Sequence, residues 1–231
     1  MLVDIFSSFD DNNQVFMSMY AFMWLFSLVT IVMYSSVYWV LAPRWASAVM
    51  TFKNTVSSQI FRSYGIKMGG FINIITGLFL FLITMNLSGL IPYVFSSTSH
   101  LAISLSFGLP LWSSLIVSAI FFNPGSVVAG LLPMGAPAPL NPFLVIIETV
   151  SIMVRPVTLS VRLTANMSAG HIVLTLIGSY FTASMFVSST FSMLLLMLMQ
   201  ILYTIFEFGI SLIQAYIFCL LITLYSDEHP Y

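Results

Sequence analysis

The chain has 231 residues, of which 59% are hydrophobic and only 6% are charged, and its formal net charge is −1. A mean hydropathy of +1.04 excludes an ordinary soluble domain and indicates a polytopic membrane protein. The near-zero charge gives no support for nucleic-acid binding, and the single cysteine cannot form an internal disulfide. We predict an all-α protein that forms a single membrane domain over residues 1–231, with about five membrane-embedded helices and one interfacial amphipathic helix.

The first predicted crossing covers residues 15–42, a run without charged residues that has aromatic residues near both ends. Residues 1–14 carry Asp4, Asp10 and Asp11 and no basic residue. Cleavable presequences carry positive charge, whereas this segment is acidic, so we expect the chain to insert without a presequence.

Residues 43–66 are predicted to form an amphipathic helix along the inner membrane surface. Apolar residues recur there at helical spacing, on the side opposite Lys53: Trp45, Val49, Phe52, Val56 and Ile60. Four of the six basic residues of the chain lie in or next to this segment: Arg44, Lys53, Arg62 and Lys67. The positive-inside rule therefore places this segment on the inner side and the acidic N-terminus outside.

Residues 71–93 and 101–122 are predicted to form a transmembrane hairpin, because no charged residue occurs between Lys67 and Glu148. Pro110 is expected to kink the second of these helices. Residues 123–141 contain four prolines and three glycines, which exclude one continuous helix. We expect an inner-side loop there.

Residues 142–226 are predicted to form a hairpin of two long helices with its apex near residues 184–190, where the sequence is rich in small polar residues. Only Pro156 interrupts this stretch. Helices of roughly 45 and 36 residues would be about 65 and 55 Å long, against a hydrocarbon core of about 30 Å. We therefore expect the hairpin to lie strongly tilted, nearly flat, in the membrane.

The rare polar residues of this hairpin fall on shared faces. Glu148, Arg155 and Arg162 are seven residues apart and share one helical stripe, and Asn166 lies one turn beyond Arg162. An arginine cannot lose its proton, and placing it at mid-membrane costs at least ~2.5 to 3.5 kcal/mol. Arg162 therefore needs a partner or a function. Arg155 is assigned a structural or snorkelling role.

An antiparallel register with its apex near residues 188 and 189 places Arg162 opposite Gln214 and His171 opposite Glu207. The neutral amides of Gln214 and Asn166 can orient a guanidinium without cancelling its charge, so the missing anion is expected on another chain. Two titratable sets then lie on opposite sides of Arg162, the His171 and Glu207 pair near the apex and Glu148 near the inner end. This pattern predicts two offset half-channels for protons.

Four segments resemble subunit a of the F-type ATP synthase in its mitochondrial form: NLSGLIPY at 86–93, PFLVIIETVSIMVRP at 142–156, LSVRLTANMSAGH at 159–171 and LIQAYIFCLL at 212–221. The resemblance implies a stator that couples proton flow to ATP synthesis, with no catalytic site, cofactor or metal of its own. It implies Arg162 as the indispensable residue, His171 and Glu207 as the outer half-channel pair, Asn166 and Gln214 as polar neighbours, and Glu148 near the inner half-channel.

The resemblance also implies partners and a location. The partners are a ring of c subunits with mid-membrane carboxylates, other subunits of the ATP synthase and the lipid bilayer, without nucleic acid. The location is the mitochondrial inner membrane, with the N-terminus in the intermembrane space and the C-terminus in the matrix.

Other functions fit the residues less well. A self-contained proton or ion transporter would need inverted repeats and an internal counter-acid for Arg162, and neither is visible. A structural scaffold would leave the polar pairs unexplained. A redox subunit is disfavoured because His100, His171 and His229 offer no haem pairing within a bundle.

Overall fold

A computed structural model describes residues 9, 25–29, 32, 44–91, 94–132, 138–187 and 190–229. The α-helices with both ends in these ranges are α1 (Arg44–Ile60), α2 (Phe71–Gly89), α3 (Leu101–Phe122), α4 (Pro124–Gly130), α5 (Asn141–Val187) and α6 (Thr190–Asp227). Short 3-10 helices occupy Tyr64–Lys67, Ser97–Ser99 and Ala138–Leu140. The described ranges contain no β-strand, so the predicted all-α class is confirmed.

Four of these helices are long and apolar enough to cross a membrane: Phe71–Gly89, Leu101–Phe122, Asn141–Met185 and Thr190–Asp227. The chain is therefore a polytopic α-helical membrane protein. The first crossing expected for residues 15–42 lies outside the described residues, apart from positions 25–29 and 32. The crossing expected for 71–93 begins at Phe71 but its helix ends at Gly89, and positions 92 and 93 lie outside the described residues.

Local chemistry sets several helix ends. Gly70 has a φ of 84°, a left-handed conformation that a glycine adopts without strain, and α2 starts directly after it. Pro142 occupies the first turn of α5, where its missing N–H leaves no bond unmade. The loop expected for 123–141 is wrong in one part, because α4 occupies 124–130. The Asn123 side chain caps α4 by accepting a hydrogen bond from the Ser126 N–H at 3.4 Å.

The core lies where α2, α5 and α6 meet, and α1 closes it on one side. Its buried apolar residues are Val56, Ile60, Phe71, Ile75, Phe79, Leu82, Leu115, Leu159, Leu163, Ala215, Phe218, Cys219 and Ile222. Cys219 is a free thiol buried in this core, where it packs as a small apolar side chain. Packing α6 against both α2 and α5 fixes which side of α6 faces α5.

Two polar contacts join residues 44–67, which we call the α1 segment, to the C-terminal part of α6. Gln59 donates a side-chain hydrogen bond to the Tyr216 hydroxyl, and the Tyr64 N–H donates to Asp227 Oδ1 at 2.8 Å. Gly65 is buried at the same place, against the Phe71 ring and the Ser226 hydroxyl. The basic α1 segment and the C-terminal end of α6 therefore lie at one end of the bundle.

The two C-terminal helices are much longer than an upright span requires. α5 has 47 residues and α6 has 38, close to the lengths expected from the sequence. At 1.5 Å per residue they extend about 70 and 57 Å, roughly twice the thickness of a hydrocarbon core. Both Pro110 in α3 and Pro156 in α5 lie inside their helices.

Candidate functional site

Arg162 lies on an exposed face of α5. The residues that share this face at helical spacing, Thr158, Ala165, Asn166 and Ala169, are exposed as well. Within the described ranges, its guanidinium makes no hydrogen bond and no ion pair. Charged side chains in membrane proteins ordinarily face the bundle interior or a water-filled cavity. The charge of Arg162 is instead directed away from the chain.

Asn166, one turn after Arg162, connects α5 to α6. Its side-chain nitrogen donates a hydrogen bond to Oε1 of Gln214 at 2.7 Å, and Gln214 is buried. The sequence placed Gln214 opposite Arg162, whereas the structure pairs it with Asn166. The predicted register of the hairpin is therefore correct to within about one helical turn.

Glu207 lies at the level of Gly170 and His171. The Glu207 side chain is 2% exposed, and a Cβ placed on Gly170 would collide with its carboxyl group. Neither Glu207 oxygen has a hydrogen-bond partner among the described residues, and the same holds for the buried Nε2 of His171. The two expected residues therefore occupy one level of the hairpin, where both carboxyl oxygens of Glu207 and the Nε2 atom of His171 are buried.

Phe9 contacts His171 from outside the hairpin. Its ring lies edge-on to the imidazole, with 6.4 Å between the ring centroids. No sequence pattern near Phe9 indicated this contact, because it joins residues far apart in the chain.

A second polar cluster surrounds Arg155. Nη1 of Arg155 forms an ion pair and hydrogen bond with Glu228, and Nη2 lies 3.6 Å from Oε1 of Glu148. The guanidinium carbon lies 5.5 Å from the centre of the Tyr225 ring. Arg155 therefore forms two ion pairs within the chain, and its guanidinium does not reach alone toward the interface.

The Arg155 cluster borders a cavity of about 610 Å³. Residues of α3, α4, α5 and the end of α6 line it, and the titratable ones are Glu148, Arg155, Tyr225, Glu228 and His229. The imidazole of His229 is 3.2 Å from the hydroxyl of Ser118 on α3. This cavity gives the Glu148 end of α5 a volume large enough for several water molecules.

Sequence reasoning missed three polar residues of the bundle, Gln200, Glu228 and Asn86. Gln200 lies seven residues before Glu207, and its buried Oε1 has no partner in the described part of the chain. Glu228 lies fourteen residues after Gln214. Gln200, Glu207 and Gln214 are seven residues apart on α6, and Glu228 falls at a multiple of this spacing just beyond the helix end, which was the available signal. Asn86, fully buried on α2, donates to the Ser211 carbonyl at 3.3 Å, and no spacing indicated that contact.

The two clusters are separate along α5. His171 lies roughly 13 Å beyond Arg162 toward the apex, and Glu148 lies about 21 Å before it. An apolar helical bundle with titratable groups on both sides of an exposed arginine defines a polytopic membrane protein of the ion-translocating class.

Comparison with known proteins gives the family. The family model described as "ATP synthase A chain" matches residues 15–227. "ATP synthase subunit a" of Artemia franciscana is 37% identical over 234 residues, covering 99% of this chain and 100% of the relative. The Drosophila melanogaster protein of the same name is 37% identical over 99% of both chains, and "ATP synthase F(0) complex subunit a" of Scyliorhinus canicula is 45% identical over 67% of both. The chain belongs to the ATP synthase subunit a family, the proton-translocating, non-catalytic F0 subunit of the complex.

Proposed function

We propose that Arg162 is the fixed cation of a rotary stator that faces a ring of c subunits carrying carboxylates at mid-membrane. The observation that carries this proposal is the exposed position of Arg162 without an internal partner among the described residues. A protonated carboxyl group can pass through lipid, whereas a carboxylate cannot. A guanidinium favours the ionised form of a carboxyl group that comes close to it. Arg162 would therefore make each passing carboxyl group release its proton.

The outer half-channel would run along His171 and Glu207. Buried polar atoms are nearly always hydrogen-bonded, either to protein or to ordered water. The unpartnered atoms of Glu207 and His171 support a hydrated route at this level, and the buried Oε1 of Gln200 extends the same face toward the apex. Asn166 and Gln214 would stand between this route and Arg162, where neutral amides can orient the guanidinium without neutralising it.

The inner half-channel would use Glu148 and the cavity beside it. The cavity of about 610 Å³ lies at the end of the bundle where α6 ends. Glu148 lies about 21 Å from Arg162 along α5, on the side away from His171. This separation supports two routes that do not meet. The fixed charge of Arg162 between them would repel protons and prevent a direct leak, which matters because each charge crossing 100 mV releases about 2.3 kcal/mol.

The proposed orientation places the C-terminus in the mitochondrial matrix and the N-terminus in the intermembrane space. The basic α1 segment is bound to the end of α6 through Tyr64 and Asp227, and the positive-inside rule assigns both to the inner side. Helices of about 70 and 57 Å fit a core of about 30 Å only when they are strongly inclined. The exposed side of such an inclined hairpin would face the ring of c subunits, with Arg162 in that face.

A self-contained transporter is not favoured. Such a protein would hold the anion that compensates Arg162 within its own chain. Both glutamates of the Arg155 cluster are bound to Arg155. Glu207 is buried beside Gly170, which lies about two helical turns closer to the apex of the hairpin than Arg162 does. The described ranges therefore offer no acid that is paired with Arg162.

The proposal is tested with Arg162→Ala in the intact ATP synthase, assayed in membrane vesicles. We expect ATP-driven proton pumping and proton-driven ATP synthesis to fall to background, while the amount of assembled complex stays unchanged. Arg62→Ala, at an exposed arginine of the α1 segment, is the matched control and should keep full coupling. Retained coupling in Arg162→Ala would refute the stator function.

A further inference from the structure

The guanidinium of Arg155 joins two carboxylates from different parts of the chain. Nη1 binds Glu228, just after the end of α6, while Nη2 lies 3.6 Å from Glu148, two turns earlier on α5. The exposed fractions of the three side chains are 24% for Arg155, 38% for Glu148 and 58% for Glu228. One side chain therefore holds together two acids that line the same cavity.

Few of the described residues that line this cavity can carry a charge. α3 and α4 contribute only uncharged residues, α5 contributes Glu148 and Arg155, and the C-terminal segment contributes Glu228 together with the titratable Tyr225 and His229. Among these described lining residues, the two carboxylates of Glu148 and Glu228 outnumber the single guanidinium of Arg155 by one. Arg155 is the lining residue of α5 that lies nearest to Arg162 in the chain, seven residues before it.

Arginine suits this position better than lysine does. Its planar group presents five N–H donors in a fixed fork, so its two terminal nitrogens can each hold a different carboxylate. A lysine ammonium is a compact point charge on a flexible stem and does not fix two acids in one geometry. The fork also separates the acids, which would otherwise repel each other as like charges.

We propose that Arg155 is a positioning residue of the inner half-channel, which holds Glu148 and Glu228 at the cavity so that their one uncompensated negative charge receives the departing proton. This inference rests on the proposed stator function and deepens it. The guanidinium compensates one carboxylate, and the proton occupies the other only transiently before it passes to the inner side. Glu228 is then part of the route by which the proton leaves on the inner side. Its ion pair with Arg155 holds the C-terminal segment against the cavity.

The charge balance makes opposite predictions for two single variants. Arg155→Gln leaves two adjacent carboxylates without a cation, which hold a proton more tightly and release it only at higher inner pH. Glu228→Gln leaves one carboxylate compensated by Arg155, which holds a proton less tightly. The double variant Arg155→Gln/Glu228→Gln again has one uncompensated carboxylate, and its pH profile should return toward that of the wild type.

The experiment uses the intact ATP synthase reconstituted into liposomes, with the ATP synthesis rate measured as the pH on the C-terminal side is varied. We expect Arg155→Gln to move the profile to higher pH by about 1 unit or more, because a nearby opposite charge shifts a carboxyl group by 1 to 3 units. Glu228→Gln should move it to lower pH, and Arg155→Lys should lie between Arg155→Gln and the wild type. The dependence on outer pH should be unchanged in all of them, and Arg62→Gln is the control.

Two results would overturn the inference. One is a profile for Arg155→Gln that matches the wild type. The other is a lower rate that follows the amount of assembled complex, with no change of profile and no recovery in the double variant, which would mean that the ion pairs are only structural. Arg162→Ala, measured in parallel, separates this inference from the stator function. If Arg162→Ala abolishes coupling while Arg155→Gln changes nothing, only the role of Arg155 fails.

Discussion

The side-chain amide of Asn166 donates a hydrogen bond to the side-chain carbonyl of Gln214 at 2.7 Å, one turn from Arg162. This contact joins the two long C-terminal helices, α5 and α6, close to the exposed guanidinium of Arg162. Both residues are neutral, so they can fix the geometry beside Arg162 without reducing its charge.

The first prediction concerns this hydrogen bond. Gln214→Leu leaves the Asn166 nitrogen without its acceptor, but an interhelical hydrogen bond in a membrane contributes only about 0.6 kcal/mol on average. We therefore expect the complex to assemble normally and coupled proton pumping to fall several-fold, because Asn166 is no longer held in place. The Asn166→Leu/Gln214→Leu double variant should lose no more activity than the worse single variant. Asn54→Leu, at an exposed amide on α1, is the control, and additive losses would contradict the prediction.

The second prediction concerns the space between Gly170 and Glu207. Gly170→Ala introduces a Cβ that collides with the Glu207 carboxyl group, so the carboxyl group must move. Proton transport should fall sharply, and Glu207→Asp in the same chain, with its shorter side chain, should restore part of it. Gly178→Ala is a matched control on the same helix, because its Cβ meets nothing within 4 Å. Alanine is a better helix former than glycine by about 1 kcal/mol, so Gly178→Ala should be neutral or stabilising.

The third prediction concerns the contact between the α1 segment and the end of α6. A Cβ on Gly65 would lie 2.6 Å from the Phe71 ring and 2.7 Å from the Ser226 hydroxyl. Gly65→Ala should therefore separate these elements and lower the amount of assembled complex, measured by native gel electrophoresis. Gly69→Ala, four residues further on, meets nothing within 4 Å and should assemble as the wild type does. Equal assembly of the two variants would show that this packing is not needed.

The fourth prediction concerns the contact between α3 and α5. The hydroxyl groups of Ser104 and Thr164 are 3.0 Å apart and both residues are buried. Thr164→Val keeps the shape but removes this bond, which should destabilise the contact by about 0.6 kcal/mol and by no more than about 1.7. We expect thermal dissociation of the detergent-solubilised complex at a slightly lower temperature. Thr182→Val, at an exposed threonine that bonds only within its own helix, should leave that temperature unchanged.

The sequence was sufficient to predict the all-α class and the long apolar helices of the described ranges. Charge-free runs define the spans, and two long proline-poor stretches leave few choices for the hairpin register. Seven-residue spacing brought Glu148, Arg155 and Arg162 onto one stripe. These features are local or follow from a single chain reversal, so they can be read without knowledge of tertiary packing.

Other features depend on packing and could not be read in this way. Arg155 and Glu228 are 73 positions apart, and their ion pair requires the end of α6 to lie beside α5 at Arg155, directly before Pro156. The pairing of Gln214 with Asn166 instead of Arg162 reflects a shift of about one turn, which a count from the apex cannot resolve. α4 formed within a proline-rich stretch because Asn123 and Pro124 together make a good helix start.

The continuity of α5 has a further consequence. Glu148, Arg155, Arg162, Asn166 and His171 all lie on one unbroken helix. Inserting or deleting a single residue between Arg162 and His171 would rotate one end relative to the other by about 100° and shift it by about 1.5 Å. A loop could accommodate such a change by a local adjustment of its backbone, but a continuous helix cannot. The number of residues between these side chains is therefore as much a part of the site as their chemistry.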